Sequence, residues 1–103
     1  MIKEQTRTYS TDLLFNQKWI KEVTITDHYE EKHKKMVTDE LIIKLLEEKL
    51  NGRRIKPLPE SYLWNKDVFR FETIYCDRKY RVIFWFKDGT ANHLWVRNCY
   101  PIN

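Results

Sequence analysis

Residues 68–100 read VFRFETIY-CDRK-YRVIFWF-KDGT-ANHLWVRNCY, and this stretch decides the fold class. Three runs rich in β-branched and aromatic residues, 68–75, 80–86 and 91–100, are separated by two polar turns, the pattern of successive strands. Asp88-Gly89 between apolar runs is a hairpin signal, because glycine accepts the positive φ that tight turns require. The stretch therefore predicts an antiparallel three-strand meander. In the middle run Tyr80, Val82, Phe84 and Phe86 share one face, and Arg81, Ile83 and Trp85 the other. Regular alternation in the last run puts Arg97 with Cys99, and Val96 with Asn98 and Tyr100.

Upstream of the meander the pattern changes to a helical one. Thr38-Asp39-Glu40 offers a helix start, and Leu41, Ile42, Leu45, Leu46 and Leu50 follow at helical spacing. Asn51-Gly52 is a natural stop. A second start at Thr26-Asp27 precedes a short, exposed, charged helix over His28 to Met36, and Trp19 to Ile25 reads as a short strand. Arg53 to Glu60 is a loop held by Pro57 and Pro59, and Tyr62-Leu63-Trp64 is a short edge strand or a turn. Residues 1–18 are polar apart from Leu13-Leu14-Phe15 and read as an N-terminal arm or short helix. Residues 19–103 then form a single domain. The expected class is α+β, with N-terminal helices packed on one face of a twisted antiparallel sheet, because neither layer can hide its apolar side alone.

Composition excludes more than it assigns. The chain has 103 residues, of which 42% are hydrophobic and 33% charged, the mix of one globular domain. Two glycines cannot build a phosphate-cradling or dinucleotide loop. No apolar run approaches the ~20 residues of a membrane span, and the first seven residues lack a signal peptide's apolar core. A soluble, cytoplasmic protein is expected, and no membrane partner. Cys76 and Cys99 read as reduced, partly buried thiols, with a disulfide left open.

Charge is unevenly placed. Residues 1–50 hold nine Lys/Arg and ten Asp/Glu, whereas residues 51–103 hold ten Lys/Arg and five Asp/Glu. A basic half that also carries most of the aromatics suggests a polyanionic partner, the alternative being solvated lysines on strand faces. A metal partner is not expected: His28 and His33 are five apart, about 140° around a helix, and His93 and the cysteines add no ligand spacing. No cofactor is implied.

The remaining residue types suit metal-independent RNA cleavage, in which the 2′-OH attacks the adjacent phosphate. Such a reaction needs a base, an acid and positive charge at the phosphorane. His28 follows a strand-to-helix junction and titrates near neutral pH, unless it is simply a surface histidine. Arg70, Arg81 and Arg97 fall one per strand and form one cluster if the register allows, or pair separately with Glu72, Asp77 or Asp88. Asn98 and Tyr100 stand near the sheet end, and Trp64, Trp85 and Trp95 offer stacking surfaces for unpaired bases.

Ile25-Thr26-Asp27-His28-Tyr29-x-x-Lys32-His33, the Thr-Asp-Glu-Leu-Ile helix, Tyr80-Arg81-Val82-Ile83-Phe84 and Val96-Arg97-Asn98-Cys99-Tyr100-Pro101 together resemble the barnase–EndoU–colicin–RelE superfamily. The resemblance covers about residues 20–101. It implies a small metal-independent ribonuclease of toxin type, restrained by a cognate antitoxin or immunity protein. His28 would then be general acid or base, Arg81 and Arg97 would hold phosphate, and Tyr100 would lie at the active end of the sheet. Lys32, His33, Arg70, Trp85, Trp95 and Asn98 complete the expected RNA contacts. RelE-like toxins are usually far more basic than this chain at +4. That departure favours free RNA such as tRNA, or a copy that has lost activity. The rival expectation is a non-catalytic RNA- or protein-binding module.

Overall fold

The computed structural model describes residues 5–33 and 35–102, except for the side chain of His33. In chain order the elements are β1 (Thr6–Phe15), β2 (Lys18–Thr26), a 3-10 turn Asp27–Tyr29, α1 (Glu30–His33) and α2 (Asp39–Leu45). The last of these runs on into a π-helical turn, Leu46–Leu50. A 3-10 segment Pro59–Trp64 then leads to β3 (Phe69–Tyr75), β4 (Arg78–Phe86) and β5 (His93–Ile102). The strands make one five-stranded sheet in the order β1-β2-β5-β4-β3. β5 lies at its centre, parallel to β2 and antiparallel to β4.

This architecture overturns the expected class. Among the described residues strands account for 48% and helical segments for 25%, in a mixed sheet with short helices. Helices packed on an antiparallel sheet do not begin the fold; a β-hairpin does. Residues 6–15, expected as an arm or short helix, are edge strand β1, paired antiparallel to β2 from Thr6↔Thr26 to Phe15↔Lys18. Its turn is Asn16-Gln17, with φ of 51° and 64°, the two-residue geometry whose twist matches the strands it joins. The charged helix expected over 28–36 is one short turn, Glu30–His33, and Tyr29 before it is buried.

The long helical element follows its sequence signals. Thr38 caps it, its side chain accepting from Leu41 N at 3.1 Å. Ile42, Leu45, Leu46 and Leu50 are fully buried against the sheet. Each such side chain contributes roughly 1.5–3 kcal/mol. The chain then leaves through Gly52 at φ +86°.

The meander forms over β3 to β5, with Phe69, Phe71, Tyr80, Val82, Phe84, Leu94 and Val96 turned into the core beneath the helix. Phe15 of β1 joins them, edge-on to Phe69 at 5.2 Å and to Phe84 at 5.3 Å. One departure from regular alternation matters. Ile83 pairs with Asn98 but Phe84 pairs with Val96, so Arg97 is the extra residue of a β-bulge. The bulge shifts the parity: Val96 and Cys99 are both buried, while Asn98 and Tyr100 stay partly exposed. Ile20 joins Val23 and Ile25 in the core, and Trp19 is left 49% exposed.

The opposite face of the sheet is open to solvent over β3, β4 and the part of β5 beyond His93, and is buried at Thr24 and His93. Its side chains include Trp95, Asn98 and Tyr100 of β5, Arg81, Ile83 and Trp85 of β4, and Arg70 and Glu72 of β3.

Candidate functional site

Two concave regions lie on this open face. The first, about 350 Å³, is lined by His28, Glu31, Lys32, Asn98 and Tyr100. Four sequence-expected residues thus meet there, brought together by the junction between β2 and the 3-10 turn. Thr26 makes that junction: its hydroxyl donates to Arg97 O of β5 at 3.0 Å and accepts from His28 N at 3.4 Å. The histidine turn is thereby tied to the central strand beside the bulge. Asn98 Oδ1 accepts from Cys99 N at 2.9 Å, which orients the amide locally.

None of the three arginines lines this cleft. The register sets Arg81 opposite Glu72 on one side and opposite Tyr100 on the other, whereas Arg70 lies opposite Ile83. Arg81 Nε donates to Glu72 Oε2 at 2.5 Å, and its Nη1 reaches the Tyr100 hydroxyl more loosely at 3.4 Å. Its guanidinium also sits over the Tyr100 ring, 5.8 Å from the centroid. The Arg81 guanidinium holds the Glu72 carboxyl below the usual carboxylate range. Arg81 is therefore already charge-compensated, and acts as a backing for Tyr100 more than as an open phosphate ligand. Arg97 contributes its backbone carbonyl to the Thr26 bond, and its side chain does not line the cleft. The side chain of His33 lies outside the described residues.

The second concavity, about 300 Å³, is lined by Trp85, Trp95, Lys66, Lys87 and Asp88. Trp85 and Trp95 are direct cross-strand neighbours. Lys66 Nζ lies 4.9 Å from the Trp85 ring centroid and 3.5 Å from Asp88 Oδ1. Trp64 leans on Trp85 with ring centroids 5.9 Å apart.

Sequence reasoning missed the most connected polar group, on the helix side of the sheet. Asp39 accepts from Arg7 through both carboxylate oxygens, at 2.8 and 2.7 Å, and from the hydroxyls of Tyr9 (2.5 Å) and Tyr29 (2.6 Å). Arg7 also pairs with Glu30 at 2.6 Å. Burial alone would raise the Asp39 pKa, but bonds from Arg7, Tyr29 and Tyr9 outweigh it and bring it down to about 2. Every acceptor position of this carboxylate faces a donor, so it holds β1, the 28–29 turn and α2 together rather than serving a reaction. Because Tyr29 adjoins His28, the cluster also positions one wall of the cleft. No motif marks it; the only sequence signal is polar residues on both faces of a strand.

His93 Nε2 lies 2.7 Å from Thr24 Oγ1, which lies 2.7 Å from Thr8 Oγ1. Burial pushes the His93 pKa down, with Glu22 opposing and Lys87 adding to the shift. Burial pushes the Cys99 thiol up to about 12, while Cys76 is exposed in the β3–β4 turn, and both are free. Among the described residues no three His, Cys, Asp or Glu side chains stand together as a metal site. No helix there is long and apolar enough to cross a membrane. No protein-family model matches the sequence, and no curated protein and no solved structure was found to match it, so the reading of the site rests on its own geometry.

Proposed function

We propose that the chain is a small RNA-binding protein of ribonuclease type, cleaving without metal through attack of a 2′-OH on the adjacent phosphate in the His28–Tyr100 cleft. The observation that carries this reading is the convergence of His28, Lys32, Asn98 and Tyr100 on one open concavity from separate parts of the chain. In this arrangement His28 and Glu31 are the groups that can exchange protons with the attacking and leaving oxygens. Lys32 supplies charge for the phosphorane, and Asn98 and Tyr100 offer hydrogen bonds to phosphate or ribose. Attack forms the O2′–P bond and breaks the P–O5′ bond, leaving a 2′,3′-cyclic phosphate and a 5′-hydroxyl. An activity of this kind inside a cell calls for an inhibitor, and an acidic antitoxin or immunity protein laid over the basic open face fits that role.

Two observations favour the second reading, a non-catalytic RNA-binding module. Glu72 neutralises Arg81, and Glu31 sits within the cleft, so positive charge at the phosphate position is modest. Incubation with total RNA in excess EDTA separates the two. The ribonuclease reading expects fragments with cyclic-phosphate ends, and their yield should fall by about 100-fold or more in His28→Ala, the usual weight of a general acid or base. Bound but intact RNA would replace it with the binding module.

A further inference from the structure

The two concavities of the open face lie in line along β4 and β5, and their chemistry differs. One end is polar and carries groups suited to a phosphate; the other is a slot lined by two indole rings and flanked by ammonium groups. We infer that the slot takes an unpaired base of the same RNA strand whose phosphate lies in the His28–Tyr100 cleft, making the protein a reader of single-stranded RNA with a footprint of about four nucleotides. The inference rests on the RNA reading above and adds strandedness and length to it.

The spacing sets the footprint. Tyr100, on the far wall of the cleft, stands opposite Arg81, four residues from Trp85 on β4, so that wall and the slot are about 13 Å apart at ~3.3 Å per residue. A stacked strand rises about 3.4 Å per nucleotide, so that distance holds up to about four nucleotides. Between Tyr100 and the slot lies the row Arg70–Ile83–Asn98, in which Asn98 belongs to the cleft lining and Arg70 is exposed toward solvent. A strand crossing there passes the Arg70 cation.

The slot's composition selects the occupant. Trp85 and Trp95 present partly exposed rings, and stacking on such rings requires base faces that a duplex keeps hidden. Lys66 and Lys87 flank the rings, Asp88 being the carboxylate among the lining residues. Lys66 now rests over Trp85, held by a contact of 3.5 Å to the exposed carboxylate of Asp88, its own side chain being partly buried. Such a pair is weak, so an incoming base displaces the ammonium at little cost, and the ammonium remains near the strand's phosphates. The basic excess of residues 51–103 lies on the same half of the chain, complementary to a polyanion.

The test uses the full chain and labelled 2′-O-methyl oligonucleotides of two, four and eight nucleotides, which the 2′-OH reaction cannot cut, together with an eight-base-pair duplex. Fluorescence anisotropy should show affinity rising about tenfold from two to four nucleotides and little from four to eight. The duplex should bind about tenfold more weakly than the eight-nucleotide strand. Trp85→Ala should erase the gain between two and four nucleotides. Quenching of intrinsic tryptophan fluorescence in the wild type gives a second readout if that variant folds poorly: four nucleotides should quench it and two should not. Undiminished four-nucleotide binding by folded Trp85→Ala, or equal binding of the duplex, overturns the slot alone. Absence of binding to every oligonucleotide overturns the RNA reading with it and leaves the face to a protein partner.

Discussion

Replacing Asp39 by asparagine keeps the side chain's shape and removes its charge, and the structure says what that costs. Oδ1 receives Arg7 and Tyr29, and Oδ2 receives Arg7 and Tyr9. An amide can still accept at one position, but its NH2 then faces two donors at the other. Loss of two charge-assisted bonds from a side chain 16% exposed costs about 2 kcal/mol, with Arg7 retaining Glu30 as a partial substitute. Linkage gives an independent figure. The Asp39 pKa falls from 3.8 in its ordinary state to about 2 in the fold, equivalent to about 2 kcal/mol, or about 1–2 after allowance for solvent screening. As pH falls, the unfolded chain binds the proton first. This stabilisation is therefore complete above about pH 4 and is lost between there and about pH 2. Urea unfolding followed by tryptophan fluorescence should show Asp39→Asn less stable than wild type by about 2 kcal/mol at pH 7. The two should converge by about 1–2 kcal/mol toward pH 2. A loss under 0.5 kcal/mol at pH 7, with parallel acid limbs, would refute the account of Asp39 as the tie between β1 and α2.

The buried His93 makes a prediction of opposite origin. Burial lowers its pKa in the fold, so between the folded value and the unfolded value of about 6.5 only the unfolded chain binds the proton. Stability should rise with pH through that window and level off above it, and His93→Gln should flatten the rise in urea midpoints measured from pH 5 to 7.5. The cysteines should also separate cleanly. A thiol reagent at pH 8 should modify Cys76 in the native protein, and Cys99 should react only after unfolding, since it is buried with its pKa pushed up to about 12. Two equivalents reacting at once in the native state would contradict the placement of Cys99.

Local chemistry alone determined the parts of this protein where one face of an element is apolar and the other is not. Helix α2 was legible from Thr38 to Gly52 because its leucines and isoleucines must be buried together, and the middle strand Tyr80–Phe86 because its alternation is uninterrupted. Four residues of the polar cleft, His28, Lys32, Asn98 and Tyr100, were legible as types, whereas Glu31, which also lines it, was not singled out. Edge strand β1 was not legible. Its inward residues Arg7 and Tyr9 are polar and find their partner in Asp39, 30 and more positions away, so no periodicity announces the strand. The parallel pairing of β2 with β5 was equally hidden, because nothing local to Glu22–Ile25 specifies His93–Val96 as its neighbour. One extra residue at Arg97 then reversed which side chains of β5 face the core, turning Cys99 inward and Asn98 and Tyr100 outward. Register likewise decided that Arg81 meets Glu72 rather than another arginine. Burial patterns are written residue by residue, but the pairing of distant strands is a choice among whole arrangements, and only the assembled sheet makes it.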